Sequence, residues 1–148
     1  MQIATAERER RRALLAEHYD AENEHDLKRI MATFSPGAEM RFNGHSFADP
    51  KAIQGAHGYI GMSAAPGAFS GIRNLRDREH ITADEIVVEG RLCGTHTGEF
   101  LGFPPTQRAV ELPFVAFYWF DAKGQLVSER IVMDLGALGA SQPAAARS

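Results

Sequence analysis

A carboxylate and a guanidinium four residues apart, Asp134 and Arg130, end the last strand-like run of this chain and are its most reactive pairing of residue types. In a run that alternates sides, Leu126, Ser128, Arg130, Val132 and Asp134 share one face. Val127, Glu129, Ile131 and Met133 share the other, which is apolar apart from Glu129. A face carrying Arg130 and Asp134 either meets solvent or lines a cavity with a polar floor. In an apolar concave site the Asp134 carboxyl would be desolvated and its pKa raised toward the range of a working acid/base, and Arg130 is the cation that would push it back down. Four strand steps put the two backbones roughly 13 Å apart, so a tight pair requires both side chains to lean together. Asp134 can alternatively cap a short turn beginning at Leu135. Arg130 can bind an anionic substrate group, or pair with Glu129, Asp134 or a subunit neighbour.

A second row, Ile86, Val88, Gly90, Leu92, Gly94 and His96, is apolar and ends in a histidine. His96 there is a candidate general acid or substrate-orienting group, or a structural hydrogen-bonding partner for the backbone of 97–103. His57 stands in a glycine-bearing helical stretch and is a candidate pocket or lid residue, its alternative being a solvent-facing ring. His18, His25, His45, His57 and His80 contain no His-x-x-x-His pair, so no metal site is expected. Cys93 is the only cysteine, which excludes an intrachain disulfide and a thiolate zinc cluster. No paired base for a nucleophilic thiol is visible beside it.

The elements that must position these groups follow from caps and periodicity. Thr5 can cap a first helix that puts Leu14, Leu15, His18, Tyr19 and Glu22 on one face. After a bend at 23–25, Asp26 can cap a second helix burying Leu27, Ile30, Met31 and Phe34, ended by Pro36 and Gly37. A short strand over 39–43 follows. Asp49-Pro50 then opens a third helix running to about Met62, weakened by Gly55, Gly58 and Gly61. Strands are predicted over 73–81, 85–95, 110–120 and 125–134, the last two joined through Asp121-Ala122-Lys123-Gly124. Helices first and antiparallel strands afterwards predict one α+β domain over 1–138, with a curved sheet around an apolar pocket and a flexible tail over 139–148.

The 148 residues, 44% hydrophobic and 24% charged, suit one soluble domain, and no apolar run is long enough to span a bilayer. A net charge of -3 gives no reason to expect a nucleic-acid partner, and the basic run from Arg8 to Arg12, interleaved with Glu7 and Glu9, reads as a solvated helix face. A polar, charged N-terminus points to a cytoplasmic location.

The stretch Gly94-Thr95-His96-Thr97-Gly98-Glu99-Phe100-Leu101-Gly102-Phe103-Pro104-Pro105-Thr106, then Lys123-Gly124 and Asp134, resembles the SnoaL-like polyketide cyclases of the nuclear-transport-factor-2-like superfamily. The opening helix with Tyr19, Asn23, Asp26 and Leu27 is similar to the family's as well. The resemblance implies a cone of about three helices packed on a strongly curved, mainly antiparallel sheet, with homodimers formed through that sheet. It implies cofactor-free chemistry on a hydrophobic, carbonyl-containing small molecule, with Asp134 moving the proton in an intramolecular aldol closure. Tyr19 looks like the family's pocket tyrosine and Asn43 like its polar orienting residue. Three departures stand out: Arg130 where many relatives carry tryptophan, Gly90 where a bulky residue is common, and the all-aromatic run Phe117 to Phe120. They imply a pocket more polar on one side and roomier at Gly90. Isomerase, dehydratase and epoxide hydrolase chemistry, or non-catalytic ligand binding or dimerisation, are alternatives for the same architecture.

Overall fold

Side-chain caps set where two of the helices begin. The computed structural model describes residues 2–139, and the expected tail from 140 on lies outside the described residues. Helix α1 spans Thr5–Asn23, starting from Ala4 without a side-chain cap. Asp26 caps α2, Leu27–Ala32, by accepting from the Arg29 N–H, and Asp49 caps α3, Pro50–Ile60, by accepting from the Ala52 N–H. Despite its glycines α3 is a regular three-turn helix. The second helix stops earlier than expected. Phe34 already belongs to strand β1, Phe34–Phe42, and Pro36 and Gly37 lie within that strand. Asn43-Gly44, both at positive φ, turn β1 into the short β2, His45–Phe47.

The long strands follow at β3, Phe69–Ile81, β4, Glu85–His96, β5, Ala109–Phe120, and β6, Leu126–Met133. They form one sheet in the order β2-β1-β6-β5-β4-β3. Every pairing is antiparallel except β1 with β6, which is parallel, so the sheet is mixed. Register shifts in β3–β4, β5–β6 and β1–β6 bend the strands, as bulges do, and curl the sheet into an open cone. The three helices pack on it, and the core lies between them and the concave face. This is the expected α+β cone.

Two local findings matter for the site. Gly90 does not open the cone: a Cβ there would stand 2.6 Å from Cζ of Phe114, its cross-strand partner, so that ring takes the space a larger residue would fill. Arg11, expected on a solvated face, is buried. It pairs with Glu7 at 2.9 Å and donates to the Ala83 and Asp121 carbonyls, tying α1 to two strand-connecting turns. No helix among the described residues is long and apolar enough to cross a membrane.

Candidate functional site

The inner face of β6 is the one containing Glu129, Ile131 and Met133, while Arg130, Val132 and Asp134 point outward and are exposed. A carboxylate therefore does enter the cone from this strand, but it is Glu129, 1% exposed in a row of apolar neighbours. Helix α1 brings His18 and Glu22, four residues apart on its buried side, and α3 brings His57. All four are buried, and one ligand-type atom from each lies within 4.8 Å of the other three. Nε2 of His18 is 3.4 Å from Glu22 Oε2 and 3.3 Å from Glu129 Oε2. Nε2 of His57 is 3.4 Å and 3.9 Å from the same two oxygens.

The ring orientations are fixed from behind. His57 Nδ1 lies 2.8 Å from the Ile53 carbonyl, which can only accept, so this nitrogen carries a proton. The Thr33 hydroxyl donates to the Ile30 carbonyl at 2.6 Å, so its oxygen accepts from His18 Nδ1 at 2.7 Å. Both Nε2 atoms are thereby turned to the centre. Asn74 Nδ2 donates to Glu22 Oε1 at 3.3 Å. Burial alone would lower the His18 pKa, but the Glu22 and Glu129 carboxylates outweigh it and raise it to about 10. His57 is raised in the same way, burial again opposing and the two carboxylates prevailing. Burial pushes Glu22 up, yet the His18 and His57 rings hold it down to about 2. Glu22 therefore stays ionised against a protonated imidazole.

Glu22, His57 and Glu129 form the polar end of a cavity otherwise walled by Met40, Phe42, Ile60, Met62, Leu92 and Phe114, among others. Its free volume, ≈ 20 Å³, holds about one water. Tyr19 and Tyr118 also line it. The Tyr118 hydroxyl donates to that of Tyr19 at 2.8 Å, leaving the Tyr19 proton free to point elsewhere. Burial raises both phenol pKa values, so both remain donors. On the far side of Phe42 and Ile60, which border both spaces, lies an apolar groove of ≈ 430 Å³ between β1, α3 and the 100–101 turn.

The residues singled out from sequence separate into two groups. Tyr19 and His57 line the cavity. Asp134 does not: its exposed carboxylate accepts from the Gly136 N–H at 2.8 Å, the capping alternative, and the expectation of a sheltered acid/base there is corrected. Arg130 stacks its guanidinium 5.4 Å from the Phe117 ring centroid on the outer face of the sheet. Asn43 is not an orienting group in the pocket, because its amide is spent on the backbone of Met133, accepting from the N–H at 2.8 Å and donating to the carbonyl at 3.0 Å. His96 is buried away from the cavity, its Nδ1 accepting from the Thr106 N–H at 3.3 Å and its ring 5.2 Å from that of Phe69. Burial lowers its pKa.

His25 is bonded to the Ile72 carbonyl, and His45 and His80 are exposed. His18 and His57, which share no ligand spacing in sequence, meet through the fold. Sequence reasoning missed His18, Glu22 and Glu129 as site residues. The available signals were the His-x-x-x-Glu spacing on α1 and a single carboxylate in an apolar strand row.

The family model for the SnoaL-like domain matches residues 15–129. A candidate SnoaL-like polyketide cyclase from Jannaschia sp. CCS1 superposes with a TM-score of 0.79 at 20% identity, covering 93% of this chain and 94% of that one. AclR, a candidate hydroxylase from Streptomyces galilaeus, gives 0.71 at 23% identity over 93% and 91%. IdmH, a candidate polyketide cyclase from Streptomyces antibioticus, gives 0.70 at 20% identity over 86% and 94%. No curated protein matches the sequence.

Proposed function

The chain belongs to the SnoaL-like family, and from that premise we propose that it is a small-molecule acid/base enzyme whose working group is the buried set around Glu129. One observation carries this reading: Glu129 Oε2 is buried at the wall of an apolar cavity, faces two imidazoles, and has no hydrogen-bond partner. A carboxylate in that position can take a proton from a carbon activated by a neighbouring carbonyl. The adjacent Tyr19 hydroxyl, polarised by the bond it accepts from Tyr118, can donate to the oxygen on which the enolate charge develops. Glu22 and the two imidazoles fix the local charge, so that the base works beside a compensated pair and not beside bare anions.

The cavity is too small for a polyketide. The groove beyond Phe42 and Ile60 is within the size range of ligand sites, and it suits the apolar body of a substrate whose reactive carbonyl end passes between those side chains. The substrate class is thus a compact or elongated hydrophobic carbonyl compound, and the reaction an aldol-type cyclisation or a related isomerisation. We also propose that the outer sheet face pairs two copies, because Trp119 and Val132 are 44% and 62% exposed there.

The test is turnover, and solvent-deuterium exchange at the activated carbon, for a panel of 1,3-dicarbonyl compounds. Glu129→Gln should slow exchange by about 10²-fold or more, the usual worth of a positioned base, and Tyr19→Phe should slow closure while leaving the fold intact. Asp134→Asn should match the native protein. Full activity in both Glu129→Gln and Tyr19→Phe would overturn the proposal.

A further inference from the structure

Most of the measured distances within the buried set are longer than charge-assisted hydrogen bonds and match the ligand–ligand spacing around a small metal ion. Three of the four imidazole–carboxylate separations are 3.3–3.4 Å and the fourth 3.9 Å. A tetrahedral ion with bonds of about 2.0–2.2 Å holds neighbouring ligand atoms roughly 3.3–3.6 Å apart, whereas charge-assisted N–H···O bonds are about 2.7–2.9 Å long. Alignment gives the same answer. Nε2 of His18, Nε2 of His57 and Oε2 of Glu129 are all buried without a hydrogen-bond partner, although they lie within 4.8 Å of one another. From these observations we propose that His18, Glu22, His57 and Glu129 form a binding site for one divalent first-row transition ion, of the zinc type.

The shell behind the ligands supports the assignment independently. A metal-binding imidazole needs its second nitrogen protonated and held, so that the first presents its lone pair. Here Ile53 O holds His57 Nδ1–H and Thr33 Oγ1 holds His18 Nδ1–H. Asn74 steadies the Glu22 carboxylate from the side. Charge balance agrees as well. Two buried carboxylates need two positive charges nearby, which either two imidazolium protons or one divalent ion supplies, so proton and metal occupancy exclude each other. Two nitrogens and two carboxylate oxygens without a thiolate favour Zn²⁺, Co²⁺ or Fe²⁺ over Ca²⁺ or Mg²⁺, which take oxygen ligands in larger shells. Glu22, His57 and Glu129 also line the cavity, so a bound ion would face it on one side. This inference goes beyond the acid/base reading and does not rest on it.

The experiment uses the full chain stripped with a chelator and then dialysed against Zn²⁺ or Co²⁺. The native protein should retain one Zn²⁺ per chain and unfold at a higher temperature as free Zn²⁺ rises, with no response to Mg²⁺. Co²⁺ should produce the strong visible absorption of a four-coordinate ion, a readout that needs no variant. Glu129→Gln and His57→Gln should each weaken Zn²⁺ binding by about tenfold or more. His80→Ala, which breaks the exposed pair with Glu89, should leave binding unchanged. Folded native protein that retains no Zn²⁺ and shows no Co²⁺ absorption would overturn the proposal. Binding that survives undiminished in both Glu129→Gln and His57→Gln would overturn it too.

Discussion

Replacing Glu129 by glutamine keeps the shape of the side chain and removes one of the two anions that raise His18 against the cost of burial. Protonated His18, with His57 beside it, is then left with the single Glu22 carboxylate inside the core. Breaking a buried ion pair by removing one partner typically costs about 3–5 kcal/mol, which for a domain of this length corresponds to roughly 6–20 °C in Tm. The loss should depend on pH with a definite sign. His18, raised from an ordinary 6.5 to about 10, contributes stability that is fully present below pH 6.5 and lost as pH rises through 10. Glu22, held at about 2, contributes stability present above its ordinary 4.5 and lost as pH falls through 2. Between about pH 5 and 6.5 both contributions stand in full and the variant should lie below the native protein by the full amount, the gap narrowing as pH rises from there. As pH passes 10 His18 loses its proton in the native protein too, so the gap should close. Urea unfolding of both proteins, with chelator present, from pH 5 to 11 measures this directly. A gap below about 1 kcal/mol at pH 7 would place the pair in the range of exposed ion pairs, and that result, or a gap that does not change up to pH 11, would refute the reasoning.

Asp134→Asn should change stability by no more than about 1 kcal/mol, the worth of a cap, with no change in turnover; a large loss of activity would return Asp134 to the mechanism. Asn43→Ala removes both bonds to the Met133 backbone and should cost about 1–3 kcal/mol, seen as faster hydrogen exchange at the Met133 amide. Gly90→Ala should destabilise by about 1–3 kcal/mol, because the new Cβ would stand 2.5 Å from the Leu75 carbonyl oxygen as well as against Phe114; a neutral substitution would mean that the strand pair yields more easily than its packing indicates. Ile60→Ala, which thins the partition between groove and cavity, should raise turnover of bulkier carbonyl substrates relative to small ones.

Most of the fold was legible because it is written in local signals. Asp26 and Asp49 cap the helices expected of them, and the alternation through β3 to β6 places each strand within a few residues of its observed bounds. Phe34 to Ala38 was misread as the end of a helix, since Pro36 and Gly37 read as a terminator wherever no strand partner is known. That partner is β6, paired in parallel from more than eighty residues away. The site was legible only in fragments. Alternation on β6 sorts its residues into two faces without saying which one is inside, and the more reactive-looking pair, Arg130 and Asp134, is on the outside. Glu129 on the other face was the informative exception. Ligand spacing rules inspect one helix at a time, so they miss a set drawn from α1, α3 and β6, whose members meet only when the sheet curls.

Nitrogen-15 NMR of the His18 and His57 rings in chelator-treated protein tests the central claim most directly, with exposed His45 as the internal comparison. His18 should be doubly protonated at pH 8 and titrate near 10, with Nδ1 of both rings protonated throughout. A His18 that titrates near the ordinary 6.5 would show that the four side chains do not form the buried, charge-compensated set on which the proposed acid/base chemistry depends.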